Sequence, residues 1–239
     1  MVFKQYLILF LLAHVLGDYY FQSGAMAQDK HSRFSACAKH LLLYAAACLI
    51  VFVPVFSFQL LCAAAALMLC HAAIDTVKYL IVRRRPGLSG RTVYIADQAA
   101  HLATLAGAAL YFAAFGRGVE PLPAAAGLLS LADIPFEAAL AWLLLLLLIW
   151  KPANITIRRL LSIHKPESAG DAPGYANTGA FIGLIERLII LVLIPIGQFS
   201  AIGLVLTAKS IARYNRISED RGFAEYYLLG HQVVLARFI

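Results

Sequence analysis

Charge is scarce in this sequence. Asp, Glu, Lys and Arg make up 14% of its 239 residues, against about 25% in a soluble globular domain. With 62% of the residues hydrophobic and a mean hydropathy of +0.77, the composition points to a polytopic membrane protein rather than a water-soluble fold. Cysteine is sparse too. Cys37, Cys48, Cys62 and Cys70 form no CxxC pair, and three of them fall in apolar runs, which argues against a disulfide framework or a cysteine-rich zinc site. They read as small apolar residues in helices. No Gly-x-Ser-x-Gly or catalytic Cys–His motif argues for a covalent mechanism. There is no clear repeat and no low-complexity tail. No basic helix or aromatic–basic module stands apart from the apolar segments, so the net charge of +7 does not read as nucleic-acid binding. A cleaved leader is not expected. MVFKQYLILFLLAHVLGDYYFQ has one lysine, carries His14 and Asp18 inside its apolar run and lacks a small-residue cleavage site.

What the chain has instead is apolar runs. A bilayer core about 30 Å thick needs roughly 20 apolar residues in a helix, and runs of about that length recur. They predict an all-α, polytopic transmembrane bundle of about six or seven spans: 5–21, 39–56, 59–82, 94–115, 136–150, 179–195 and 196–213. The last two are joined at Pro195-Ile196-Gly197 and read as a helical hairpin. The chain is expected to form a single integral membrane domain over 1–239. Its first part, 1–116, holds three His/Asp-bearing helices, and 117–151 an outer loop and the fifth span. A cytoplasmic amphipathic segment and loop fill 152–178, and the hairpin and a short C-terminal cytoplasmic helix fill 179–239.

Basic residues set the orientation. Arg83, Arg84, Arg85 and Arg91 follow the third span. Lys30, Arg33 and Lys39 lie between the first two, and Lys151, Arg158, Arg159 and Lys165 follow the fifth. Arg213, Arg216 and Arg221 follow the seventh, whereas the opposite loops hold little more than Arg117. All the basic loops share one side if the N-terminus is outside and the C-terminus inside. A multi-pass protein of a bacterial inner (cytoplasmic) membrane is expected, with lipids as its first partners. Much of the positive charge is then a topology signal plus attraction to anionic headgroups.

Inside these runs stand groups that lipid does not favour. The first span holds HVLGD, with His14 and Asp18. The third holds HAAID, with His71 and Asp75, and the fourth DQAAH, with Asp97 and His101. Each pair has i, i+4 spacing, so both side chains share a helix face. The order reverses in the fourth span, which runs the opposite way through the membrane. Asp therefore faces the cytoplasm and His lies deeper in every pair. Three rungs come to similar depth in the inner half, and His40, at the inner edge of the second span, can join them. A carboxylate near a helix centre costs about 2.5–3.5 kcal/mol on insertion scales, and clustered carboxylates repel unless protons or a cation intervene. His with Asp suits zinc, iron or manganese, so His14, Asp18, His40, His71, Asp75, Asp97 and His101 are candidate ligands. The His-x-x-x-Asp spacing differs from the Glu-x-x-His of di-iron bundles. Gln22 and Gln98 are candidate donors beside the carboxylates or substrate contacts. Alternatively, the pairs are hydrogen-bonded latches between helices, or a proton or ion path.

The C-terminal half carries Glu186 and Arg187 in GAFIGLIERLIIL, and Lys209 and Arg213 in LTAKSIARYNR. Glu186 is expected to pair with Lys209 or Arg213. Lys209, Arg213 and Lys78 are also candidates for a lipid or phosphate headgroup. His31, His164 and His231 are expected to be solvated.

LLAHVLGDYYFQ, HAAIDTVK, DQAAH and the C-terminal IGLIERLI, GQFSAIGLVLTAKSIARY and EYYLLG together resemble the bacterial membrane family catalogued as domain of unknown function 3307. The resemblance runs over nearly the whole chain. Family members usually follow the final Leu-Gly with a small hydroxyl residue, where this chain has His231. The resemblance implies an inner-membrane helical protein and points to the His/Asp residues, but supplies no reaction.

Three functions are therefore open. One is a membrane-embedded metal-dependent hydrolase acting at the cytoplasmic leaflet on a phospholipid or isoprenoid phosphate, with Asp97 and Asp75 as the catalytic carboxylates. Another is a proton or metal-ion transporter or channel, although no inverted repeat is visible. The third is a structural or regulatory membrane protein locked by its polar pairs. Haem is disfavoured, since its ligation needs no carboxylate beside each histidine.

Overall fold

The computed structural model describes residues 2–29, 34–85, 87–162 and 175–235. His31 and His164 lie outside them, as does the side chain of His231. Every regular element among the described residues is helical. The chain divides into two compact units, Met1–Leu148 and Ile149–Ile239.

The first unit begins with α1 (Val2–Val15), which runs on as a π-helical segment, Leu16–Phe21. α2 (Gly24–Asp29), α3 (Phe34–Phe52), α4 (Phe58–Arg84), α5 (Gly90–Phe115), α6 (Pro123–Ser130) and α7 (Phe136–Ile149) follow. The Ser57 hydroxyl accepts from the Leu60 amide at 3.2 Å and so caps the start of α4. Four helical stretches are long and apolar enough to cross a membrane: Val2–Phe21, Ser35–Val55, Phe58–Arg84 and Gly90–Phe115. A fifth arises if α7 and the next helix, Lys151–Leu160, count as one broken span. The all-α membrane bundle expected from the sequence is thus present. With its 14 residues, α7 is only about 21 Å long at 1.5 Å per residue.

α1, α3, α4 and α5 pack against one another in three layers. At one end, hydrogen bonds close the bundle. Tyr6 donates to the Arg117 carbonyl at 2.7 Å, and Gln59 donates to the Tyr6 hydroxyl at 2.8 Å. Gln5 donates to Glu137 at 2.7 Å and accepts from the Val119 amide at 3.0 Å. The middle layer is apolar, with Phe10, Phe52, Leu60, Leu67 and Leu105 buried around Ala13, Ala63 and Ala109. The alanines let helix backbones approach closely, as small residues do between helices in lipid. The third layer, toward the end bearing Arg83–Arg85 and Arg91, is polar. His14, His40, His71, Asp75 and His101 are buried there, while Leu42, Leu49, Leu69, Leu102 and Leu110 face outward. Polar groups inside and leucines outside invert the pattern of a water-soluble protein and match lipid as the solvent.

In the second unit α8 (Lys151–Leu160) buries Pro152 and Ala153 and exposes Lys151, Arg158 and Arg159. The helix overlaps the start of the 152–178 segment read as basic and amphipathic, of which 163–174 lie outside the described residues. α9 (Tyr175–Leu193) and α10 (Phe199–Ile211) pack across a turn in which Gly197 takes φ +69°, a conformation that favours glycine. α11 (Tyr214–Glu219) packs on the C-terminal helix α12 (Arg221–Leu235).

Candidate metal centre

Four helices deliver the polar layer. α1 and its π-helical extension carry His14 and Asp18, α3 carries His40, α4 carries His71, Asp75 and Lys78, and α5 carries Asp97 and His101. A π-turn is wider than an α-turn, and such turns recur at functional sites. Here one holds Asp18 at the end of the first span. The segment can lie close to α3 because residue 17 is glycine. A Cβ there would stand 2.5 Å from Cδ2 of Tyr44.

All seven residues named from the sequence as ligands meet in this layer. His40 Nε2 lies 2.9 Å from His71 Nε2. It is also 3.2 Å from Asp18 Oδ1 and 3.4 Å from Asp75 Oδ2. His71 Nε2 is 3.4 Å from Asp18 Oδ1 and 3.5 Å from Asp75 Oδ2. Each of the two ring nitrogens therefore has a carboxylate oxygen of Asp18 and one of Asp75 beside it. Metal–ligand bonds of about 2.0–2.2 Å place tetrahedral ligand atoms about 3.3–3.6 Å apart, and adjacent octahedral ones about 2.8–3.1 Å apart. The five observed spacings fall across these ranges, and Asp18, His40 and His71 form a group of donor atoms that could hold a metal ion, with Asp75 beside both histidines. The remaining pairs surround it. His14 Nδ1 is 3.8 Å from Asp18 Oδ2, and His101 Nε2 is 3.6 Å from Asp97 Oδ1. The His101 ring stacks on His71 at 4.5 Å and lies 5.0 Å from His14. Three groupings bring ligand atoms within 4.8 Å of one another: His14/His71/His101, Asp18/His40/His71 and Asp75/Asp97/His101.

Lys78 is part of this layer. Its ammonium lies 2.9 Å from Asp75 Oδ1 and 2.8 Å from Asp97 Oδ1. Gln98 donates to Asp97 Oδ2 at 3.3 Å and accepts from the Tyr19 hydroxyl at 2.8 Å, and Tyr19 meets Tyr94 at 2.9 Å. This chain orients Asp97 from outside, as partners of metal ligands commonly do. His40 Nδ1 and His71 Nδ1 make no hydrogen bond among the described residues. Tyr44 stacks on His71 at 3.8 Å between centroids and 15° between planes. Gln22 stands half-buried at the end of the π-helical segment.

Sequence reasoning missed the tyrosines. Tyr44 is four residues from His40, and Tyr94 is four before Gln98. The same spacing that exposed the His–Asp pairs places each on the face of its neighbour.

Lys209 and Arg213 belong to the second unit. Lys209 forms a short ion pair with Glu186, joining α10 to α9. Both cations lie 5.8 Å from the centroid of the Tyr227 ring. Arg187, buried, donates to the Ile149 carbonyl at 2.8 Å and to the Asn154 side chain at 2.6 Å.

One comparison with known families finds a likeness, over just under half of the chain. Residues 6–119 match the family described as Protein of unknown function (DUF3307). The DUF3307 stretch contains every residue of the polar layer. The C-terminal motifs that also carried the resemblance lie outside it. No curated protein and no solved structure matches the chain.

Proposed function

We propose that this protein is a membrane-embedded, metal-dependent hydrolase acting on an amphipathic, phosphate-bearing lipid or isoprenoid at the cytoplasmic leaflet. The observation that carries the reading is the pair of ring nitrogens of His40 and His71, 2.9 Å apart, each with oxygens of Asp18 and Asp75 at 3.2–3.5 Å. A bound zinc, iron or manganese ion would bring the pKa of a water ligand to about 7 and polarise the scissile group. His40 and His71 supply nitrogen donors, Asp18 and Asp75 oxygen donors. Four protein ligands close a tetrahedral zinc site, whereas hydrolysis needs a further position. A five- or six-coordinate ion, manganese or iron(II), therefore suits the reaction better. Asp97 is the carboxylate left to take the proton, steered by Gln98.

The apolar middle layer favours this reading over conduction. An ion leaving the polar layer for the opposite end would meet Phe10, Phe52 and Leu67, buried and tightly packed. The basic residues beyond α4 and before α5 favour an inner-membrane orientation with this layer at the cytoplasmic side and the C-terminus inside.

Elemental mass spectrometry on detergent-purified protein tests the centre. Wild type is expected to hold a transition metal, and His71→Ala/Asp75→Ala at least tenfold less, while both remain monodisperse. Hydrolysis of phospholipid and isoprenoid-phosphate substrates should then disappear on chelation and return with manganese or iron(II). Full activity in metal-free protein would sink the reading, and ion flux into liposomes without hydrolysis would replace it with transport.

A further inference from the structure

The polar layer holds a second place where a cation belongs. Asp75, Asp97 and His101 form one of the groupings with ligand atoms within 4.8 Å. The Lys78 ammonium already stands between two of its members, at 2.9 Å from Asp75 and 2.8 Å from Asp97. The lysine side chain is 17% exposed and the two carboxylates 9% and 8%. Charges so shielded interact strongly, and a carboxylate pair left without a cation there would be costly.

Charge balance sets the number of ions. Asp18, Asp75 and Asp97 bring three negative charges when ionised, and Lys78 returns one positive. With neutral histidines as ligands, the layer carries minus two, which one divalent ion neutralises. With Lys78 in place a second divalent ion would leave plus two in a low-dielectric layer, whereas without the lysine one ion leaves minus one and the carboxylates of Asp75 and Asp97 without a cation between them. Asp75 links the two places, since Oδ2 faces His40 and His71 while Oδ1 faces Lys78.

We propose that the centre is mononuclear, with one divalent metal ion at His40, His71, Asp18 and Asp75, and that the ammonium of Lys78 permanently occupies a second cation site at Asp75, Asp97 and His101. This rests on the metal reading above. Lys78 is then a positioning residue. It ties Asp97 to Asp75, a ligand of the proposed ion, and it keeps a second metal ion out. Removing the charge while keeping the length of the side chain opens that site to a second divalent ion.

The test is metal stoichiometry with manganese or zinc, on wild type, Lys78→Met, Lys78→Arg and the double variant Lys78→Met/Asp97→Asn. One equivalent is expected in wild type and in Lys78→Arg, about two in Lys78→Met, and one again in the double variant. In Lys78→Met loaded with manganese, the two ions should also couple magnetically. Two equivalents in wild type, or a folded Lys78→Met that stays at one, overturns the proposal and leaves the metal reading standing. No metal in wild type overturns both. Should Lys78→Met fail to fold, wild type decides. One equivalent that does not rise when free metal is raised a hundredfold supports the proposal, and a second equivalent overturns it.

Discussion

Gly17 has no side chain, yet the polar layer depends on it. Its missing Cβ lets Tyr44 approach the π-helical segment, and Tyr44 in turn stacks on His71 at 3.8 Å. Tyr44 is 1% exposed, so its ring has no open space into which to retreat. Gly17→Ala is expected to destabilise the protein by about 1–3 kcal/mol, the usual cost of overpacking. It should also weaken metal binding severalfold by tilting His71. Thermal unfolding in detergent and a metal titration read the two effects separately. A variant with wild-type values in both would show that the ring yields freely. The seven ligand candidates were legible because His and Asp are conspicuous inside apolar helices and recur at one spacing. The tyrosines were not. An aromatic ring in an apolar run reads as ordinary packing until its hydroxyl or its face is seen to meet a polar neighbour.

Elements were legible where length and hydropathy agree. α4 and α5 fall close to the predicted 59–82 and 94–115, because each is a long apolar run ended by charge or glycine. The first span was legible in extent but not in kind. Its last turn is π-helical, and no residue type in LGDYYF signals a wider turn. The α9–α10 hairpin was legible at Pro195-Ile196-Gly197, where Gly197 takes the positive φ. The role of Arg187 was not, because its partners are 38 and 33 residues away in sequence. Its guanidinium supplies a donor to the Ile149 carbonyl at the end of α7 and another to Asn154 on α8. Arg187→Met leaves two acceptors short of donors, at about 1–3 kcal/mol for each buried group left unsatisfied. Thermal stability should fall accordingly, with Lys in its place restoring only part, since an ammonium lacks the planar fork. Metal content should stay at the wild-type level. An unchanged unfolding midpoint in Arg187→Met would remove the clasp from the account.

At the scale of the whole molecule, the orientation and the site support each other through different residues. Arginines at 83, 84, 85 and 91 flank the turn between α4 and α5, while at the opposite end of the bundle the described basic residues are Lys4 and Arg117. On the proposed orientation, which follows the positive-inside rule, that turn lies in the cytoplasm. The His/Asp layer lies toward the same end of the bundle, and the hydrogen bonds among Tyr6, Gln59 and Arg117 close the other. If the proposed hydrolysis takes place in this layer on that orientation, a soluble product would enter the cytoplasm. In a cysteine-free background, Ser89→Cys should resist a membrane-impermeant maleimide in intact cells and react in inverted vesicles. Glu120→Cys, an exposed position beyond α5, should do the reverse. The opposite pattern would turn the bundle over and place the layer at the outer leaflet. The ligand geometry would survive that result, but the cytoplasmic substrate would not.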